Sequence, residues 1–144
     1  LIRTQEGKAI FAVIDQRLTK LQHLIGTITE QLPAILLLQR EKIVARLSEI
    51  KMSLDPNRLE QEMLLFTQKM DVAEELDRLQ IHVNEFKRLL KKQAQGKQLD
   101  FLLQELNREA NTLASKSFHA ELSLMAVNLK VLIEEIREQV QNVE

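Results

Sequence analysis

The strongest constraint on the fold of this chain is its shortage of residues that end or turn a helix. Its 144 residues include only three Gly and two Pro. Leu, Glu, Gln, Lys and Arg are abundant, and all five are straight-chain helix formers. A β-rich fold needs many turns, which this composition does not supply. The sequence therefore predicts an all-α protein of long antiparallel helices that pack as an extended, coiled-coil-like bundle.

Apolar residues recur at steps of three and four along the chain, as on one face of a helix. One stripe runs through residues 14–32 and a second through residues 36–54, with Pro33 between them. A Pro ends a helix or opens the next one, so these stripes predict an antiparallel helical hairpin over residues 8–54. Such elongated stripes also suggest self-association, because a slender monomer cannot bury them all.

Three further positions predict helix boundaries. Asp55 can cap a helix whose first turn contains Pro56. The apolar stripe slips near Met70 and Asp71, which predicts a kink or break. Gly96 is typical of a C-terminal helix stop. The stripes on the two sides of Gly96 are Leu76, Leu79, Val83, Phe86, Leu90 before it and Leu99, Leu103, Leu106, Ala110, Leu113 after it.

Composition and charge narrow the possible functions. The chain has no Cys, which removes disulfides and thiolate metal sites and fits a reducing compartment. No apolar run approaches the length of a membrane span. The formal net charge is −1, whereas a free-standing nucleic-acid binder is usually basic. The charge therefore argues mildly against nucleic-acid binding by this chain alone.

Amide side chains share one flank of the segment after Gly96. Gln104, Asn107 and Asn111 follow Asp100 at steps of four, three and four. Asn is a poor helix former, so this stripe needs an explanation. The commoner one is a hydrogen-bonded contact with a neighbouring helix or subunit. The alternative is a row of amides that reaches bases, sugars or phosphates of a nucleic acid.

Acidic residues and one His supply the candidate chemistry. Glu105 and Glu109 lie one helical turn apart and could share Mg²⁺ or Mn²⁺, although Arg108 between them could neutralise them instead. His82 could act as an acid or base or bind metal, and in isolation it more often makes a surface hydrogen bond. Glu75 is about 10 Å from His82 along the helix axis. Glu75 and His82 are therefore too far apart to bind one ion unless another helix supplies further ligands.

A basic cluster around Gly96 has two interpretations. It comprises Lys87, Arg88, Lys91, Lys92 and Lys97, and the eleven residues 87–97 contain no acid. The cluster could interact with a helix C-terminus or bind RNA phosphates. The chain has no Gly-rich phosphate loop, and its lack of Trp and Tyr argues against recognition of bases by stacking.

Several separated blocks are similar to the signature of the YicC-like family of bacterial endoribonucleases. The blocks are Glu6-Gly7-Lys8-Ala9, Asp71 to Leu79 with His82 downstream, Leu99 to Ser117 (LDFLLQELNREANTLASKS), and Glu134 to Glu144. The resemblance implies a bacterial, cytoplasmic, stress-associated endoribonuclease that acts on RNA with a divalent metal and assembles as a ring-like hexamer. It also implies an N-terminal domain that is absent here, so we expect that the fragment alone could be inactive.

The resemblance and the chemistry of the side chains together suggest roles. We expect residues 1–54 to be a helical-hairpin linker or cap and residues 55–144 to be the C-terminal domain of the family. The expected catalytic residues are Glu105, Glu109, Glu75 and His82, with Glu105 and Glu109 as metal ligands. The expected RNA-binding residues are Gln104, Asn107, Arg108, Asn111, Lys116, Lys87, Arg88, Lys91 and Lys92. The alternative is a non-catalytic module for oligomerisation or for holding RNA or a partner protein.

Overall fold

A computed structural model describes residues 5–50, 56–70, 72–92, 96–117 and 119–143 of the chain. These residues form helices α1 (Gln5–Ile50), α2 (Pro56–Met70), α3 (Ala73–Lys91), α4 (Gly96–Lys116) and α5 (Ala120–Val143). The described residues contain no β-strand, which confirms the predicted all-α class. None of the described helices is both long and apolar enough to cross a membrane.

Four of the helices surround one apolar core. Helix α1 packs against α3 and α5, and α4 packs against the same two helices from the other side. The predicted stripe of residues 14–32 in α1 and the predicted stripes of α3 and α4 are buried in this core, as the steps of three and four require. Helix α5 contributes Leu122, Ala126, Leu129, Ile133, Ile136 and Val140. Met125 and Leu132, which also belong to the apolar pattern of α5, are only partly buried.

The predicted hairpin is wrong, because α1 continues through Pro33 without a turn. Leu32 and Ile35 are buried on either side of Pro33, Leu32 belongs to the core and Leu36 packs against it, so the helix stays on the core across Pro33. Pro33 itself is exposed, so its ring lies on the solvent side. The carbonyl of Thr29 loses its helical partner at Pro33, and Thr29 is also exposed, so water can satisfy that carbonyl.

Beyond Leu36, α1 leaves the core. The described residues of 36–49 and of α2 include no buried side chain. Leu36, Ile43 and Leu47 of the second predicted stripe are only partly buried, and Ile50 and Leu54 lie outside the residues whose burial is described. The exposed apolar side chains here are Leu37, Leu38, Val44 and Leu64.

The other boundary predictions have mixed outcomes. Helix α2 begins at Pro56, and the break near Met70 separates α2 from α3, as predicted. Gly96, however, begins α4 instead of ending α3, which already ends at Lys91. Gly96 is also buried, where the absence of a side chain leaves room for packing. Asp55 and Asp71, the proposed capping residues, lie outside the described residues.

Gly26 offers a direct test of α1. A Cβ added at Gly26 would meet no atom within 4 Å, so Gly26→Ala fits without strain. Gly in a helix costs about 0.5–1 kcal/mol relative to Ala, and we expect the substitution to stabilise folding by about that amount. Urea unfolding followed by circular dichroism measures it. Exposed Ala12 in the same helix is the matched control, since Ala12→Gly should be destabilising by a similar amount. No change at Gly26 would contradict a helical backbone at this position.

Candidate active site

Polar side chains of α3 face polar side chains of α4 across one edge of the bundle. Residues later in α3 lie opposite residues earlier in α4, so the two helices are antiparallel. Their apolar stripes pack in the core, which leaves the flanking polar rows to meet at the edge. The facing residues are Glu75, Arg78 and His82 on α3 and Lys116, Glu109 and Glu105 on α4.

His82, Glu105 and Glu109 come together at the centre of this edge. One potential ligand atom from each lies within 4.8 Å of the other two. Around a divalent ion with bonds of about 2.1 Å, ligand atoms lie no more than about 4.2 Å apart, so a small side-chain movement completes the set. Glu109 is only 3% exposed, while the other two are half-buried. An imidazole and two carboxylates are a donor set that Mn²⁺ accepts.

Two Arg side chains balance the carboxylates of this cluster. An Arg78 guanidinium nitrogen lies 3.6 Å from Oε2 of Glu109, and Arg78 also pairs with Glu74. An Arg108 nitrogen lies 3.6 Å from Oε2 of Glu105, and its side chain is 72% exposed. Both distances exceed a normal hydrogen bond, so the Arg side chains neutralise the carboxylates without saturating them. Arg78 was not among the expected site residues, although the sequence already places it on the polar face of the helix between Glu75 and His82.

Glu75 forms a separate ion pair at the next level of the same edge. The Nζ of Lys116 lies 2.7 Å from Oε1 of Glu75, which is 3% exposed. Its Oε2 has no hydrogen-bond partner among the described residues. Glu75 is not part of the cluster of His82, Glu105 and Glu109. The structure therefore places two expected catalytic groups, Glu75 and His82, at different positions along the edge, and their roles stay predictions.

A sequence model of the family described as "Endoribonuclease YicC-like, C-terminal" matches residues 28–144. The chain belongs to this family. It is 51% identical over 144 residues to the "Probable endoribonuclease YicC" of Haemophilus influenzae, and the alignment covers 99% of this chain and 50% of that protein. A protein of the same name from Clostridioides difficile is 35% identical over 147 residues, again covering 99% of this chain and 50% of the relative. The resemblance seen in the sequence is thereby confirmed.

The chain spans about half the length of these curated relatives. The family match begins at residue 28, within α1, and continues through both helices of the candidate active site. The division into residues 1–54 and 55–144 stays a prediction.

The amide row of α4 lies apart from the carboxylates. Gln104 and Asn107 line a groove between α4 and α5, together with Glu134 and Arg137 of α5. Asn111 belongs to the same row by its spacing and is exposed. The expected site residues of α4 thus divide between two flanks of its buried face. Either interpretation of the amides stays open, because the groove supplies polar neighbours and is also accessible.

The basic cluster does not form a single patch. Lys87 donates a hydrogen bond to Oγ1 of Thr19 on α1, at 3.0 Å. Arg88 donates from Nε to Glu85 of the same helix at 3.0 Å and lines a groove formed with residues of α4. This hydrogen bond lowers the pKa of the Glu85 carboxyl and raises the pKa of Arg88, so both are charged at neutral pH. Two other members, Lys91 and Lys92, are exposed.

Proposed function

We propose that this chain carries the cleavage site of a divalent-metal-assisted endoribonuclease that acts within a polypeptide of the full family length. The observation that carries the proposal is the convergence of His82, Glu105 and Glu109 at one edge of the bundle. Two different helices supply these groups, His82 being 23 residues before Glu105, and both helices lie inside the family match. The name of the relatives, probable endoribonuclease, supports RNA as the substrate.

The cluster fits the requirements of phosphodiester cleavage. A bound Mn²⁺ or Mg²⁺ would neutralise charge on the phosphate and make the attacking oxygen more acidic. His82, Glu105 and Glu109 would hold the ion. The buried position of Glu109 restricts its rotamers, and the nearby Arg78 restrains it further. The half-buried Glu105 lies on the accessible side, where a phosphate of the substrate can approach.

Other side chains would position the RNA and accept the proton. Arg108 is exposed beside Glu105 and can approach the phosphate. The proton acceptor for the 2′-hydroxyl or water is either Glu75, whose Oε2 has no described hydrogen-bond partner, or His82 in an arrangement where Glu105 and Glu109 alone hold the ion and one unprotonated ring nitrogen of His82 stays available. The proposed RNA contacts are Gln104, Asn107, Asn111, Lys87, Arg88, Lys91, Lys92 and Lys116. Lys116 also pairs with Glu75, so its contribution to RNA binding would compete with that pair.

A second candidate is a non-catalytic module that holds RNA or a partner protein. The observation that favours it is internal charge balance, since Glu109, Glu105 and Glu75 each face a cationic side chain of the same bundle. Such a network can serve packing alone. Assembly as a homo-oligomer, a hexamer in the full-length protein, and a cytoplasmic location with a role in stress are proposals from the family resemblance.

Metal-dependent cleavage tests the proposed function. End-labelled RNA is incubated with the full-length polypeptide and with the 144-residue chain, in Mn²⁺, in Mg²⁺ and in EDTA. We expect cleavage by the full-length protein with metal and none in EDTA. A 2′,3′-cyclic phosphate at the product end indicates attack by the 2′-hydroxyl, and a 5′-phosphate product indicates attack by water. Equal cleavage in EDTA would overturn the role of the metal, and no cleavage under any condition would favour the non-catalytic module.

A further inference from the structure

We infer that Phe101 is a stacking platform for an unpaired RNA base beside the cleavage site, in the groove between α3 and α4. The inference rests on the proposed function and specifies its substrate as single-stranded RNA. It also revises the expectation, based on the lack of Trp and Tyr, that stacking plays no part. The observation behind it is an aromatic ring that is 60% exposed on a helix whose apolar core positions are filled by other residues.

The surroundings of Phe101 combine apolar and cationic side chains. Leu89 of α3 and Leu102 of α4 line the groove, and both are less exposed than Phe101. Arg88 and Lys97 line the same groove from the two helices. A ring between apolar side chains offers a face to a base, and cations within the same groove attract the phosphates on either side of it.

The register of α4 connects this groove with the candidate metal cluster. Lys97, Phe101, Glu105 and Glu109 follow one another at intervals of four residues, so they form one row on the helix. Each interval corresponds to about 6 Å along the axis, which places Phe101 one turn from Glu105. On α3, Arg88 lies beyond His82 in the same direction. An RNA strand along this edge would therefore contact the platform and the cluster in succession.

Charge in the groove is compatible with an RNA backbone. Its one acidic lining residue, Glu85, is hydrogen-bonded to Arg88. Among the described residues, Lys97 has no ion pair that offsets its charge. Glu85, Arg88 and Lys97 together give the groove a net positive charge. A base within a duplex already stacks on its neighbours and cannot lie on a protein ring, so this arrangement selects unpaired RNA.

Substitution Phe101→Trp provides a direct measurement, because the chain contains no Trp or Tyr and the new indole is the only strong emitter. The 144-residue variant is titrated in EDTA with a short single-stranded oligoribonucleotide and with the same sequence as a duplex. We expect the single strand to quench the fluorescence of the indole and the duplex to quench it much less. The control is Ile81→Trp, which places an equally exposed indole outside the groove (Ile81 is 62% exposed) and should show little quenching.

A second variant, Phe101→Leu, keeps an apolar side chain and removes the ring. Stacking contributes about 1–3 kcal/mol per base, so we expect affinity for single-stranded RNA to fall by about 5- to 150-fold in the full-length polypeptide without metal. Equal quenching at positions 101 and 81, or unchanged affinity of the Leu variant, would overturn the inference. A blue shift of the indole with protein concentration alone would assign the ring to contact with a second copy and also overturn it. These measurements need no cleavage, so their failure is distinguishable from failure of the proposed function.

Discussion

Replacing Glu105 and Glu109 together by Gln is expected to reduce metal-dependent RNA cleavage by about 100-fold or more. Gln nearly preserves the shape of Glu but removes both negative charges and weakens the hold on a divalent ion. Because His82 cannot hold the ion alone, the loss should follow the loss of metal binding. Initial rates in Mn²⁺, together with calorimetric titration of Mn²⁺, measure the two effects in the same protein.

Exposed acids away from both grooves provide a matched control for this double substitution. Glu30 of α1 and Glu138 of α5 are exposed, so Glu30→Gln with Glu138→Gln removes the same charge away from the cluster. We expect cleavage within about threefold of wild type, in line with the small energetic effects of most surface substitutions. Helical content, melting temperature and oligomer size should stay close to wild type in both variants. If cleavage survives the loss of Glu105 and Glu109, or falls only because the assembly dissociates, the site lies outside this cluster.

Substitution Lys116→Met is expected to destabilise the bundle by about 2–3 kcal/mol. Removing one partner of a fully buried pair costs about 3–5 kcal/mol, and because the side chain of Lys116 is 31% exposed, we expect a cost at or somewhat below the bottom of that range. The cost arises because the carboxylate of Glu75 would remain buried without its cation. Urea unfolding at neutral pH measures the change.

A double-mutant cycle separates this charge effect from loss of packing. Glu75→Gln in the Lys116→Met background should restore much of the stability, since a neutral amide is less costly to bury than a carboxylate. Lys130→Met, at an exposed position of α5, is the control and should change stability by no more than about 0.5 kcal/mol. If Lys116→Met leaves stability unchanged but weakens RNA binding, Lys116 serves the RNA and not Glu75.

The local spacing of apolar residues was sufficient to predict most of the helical bundle. The buried stripes of α1, α3 and α4 follow from steps of three and four, because a helix repeats every 3.6 residues whatever its neighbours are. The start at Pro56 and the break after Met70 follow from local backbone chemistry and from the slip of the stripe. The turn predicted at Pro33 was wrong, because burial of Leu32 and Ile35 outweighs the cost of the one backbone hydrogen bond that Pro33 cannot donate.

The candidate site depended more on the tertiary structure. The spacing of Glu105 and Glu109 places them one helical turn apart. The sequence also indicated that His82 could share an ion only with groups supplied by a second helix. Periodicity identifies the buried face of a helix but not the neighbour on each flank of that face. Only the packing of α4 between α3 and α5 separated the carboxylates from Gln104 and Asn107.

The sequence by itself determined the all-α class, the family and most of the residues that face the core, because these depend on local periodicity and on residue identity. The tertiary structure alone decided that Arg78 lies beside Glu109, that Lys116 pairs with Glu75 and that Phe101 lines an accessible groove. The physical reason is that ion pairs and grooves form between side chains from different helices. Their partners are fixed by the order and direction in which the helices pack, which no single helical pattern contains.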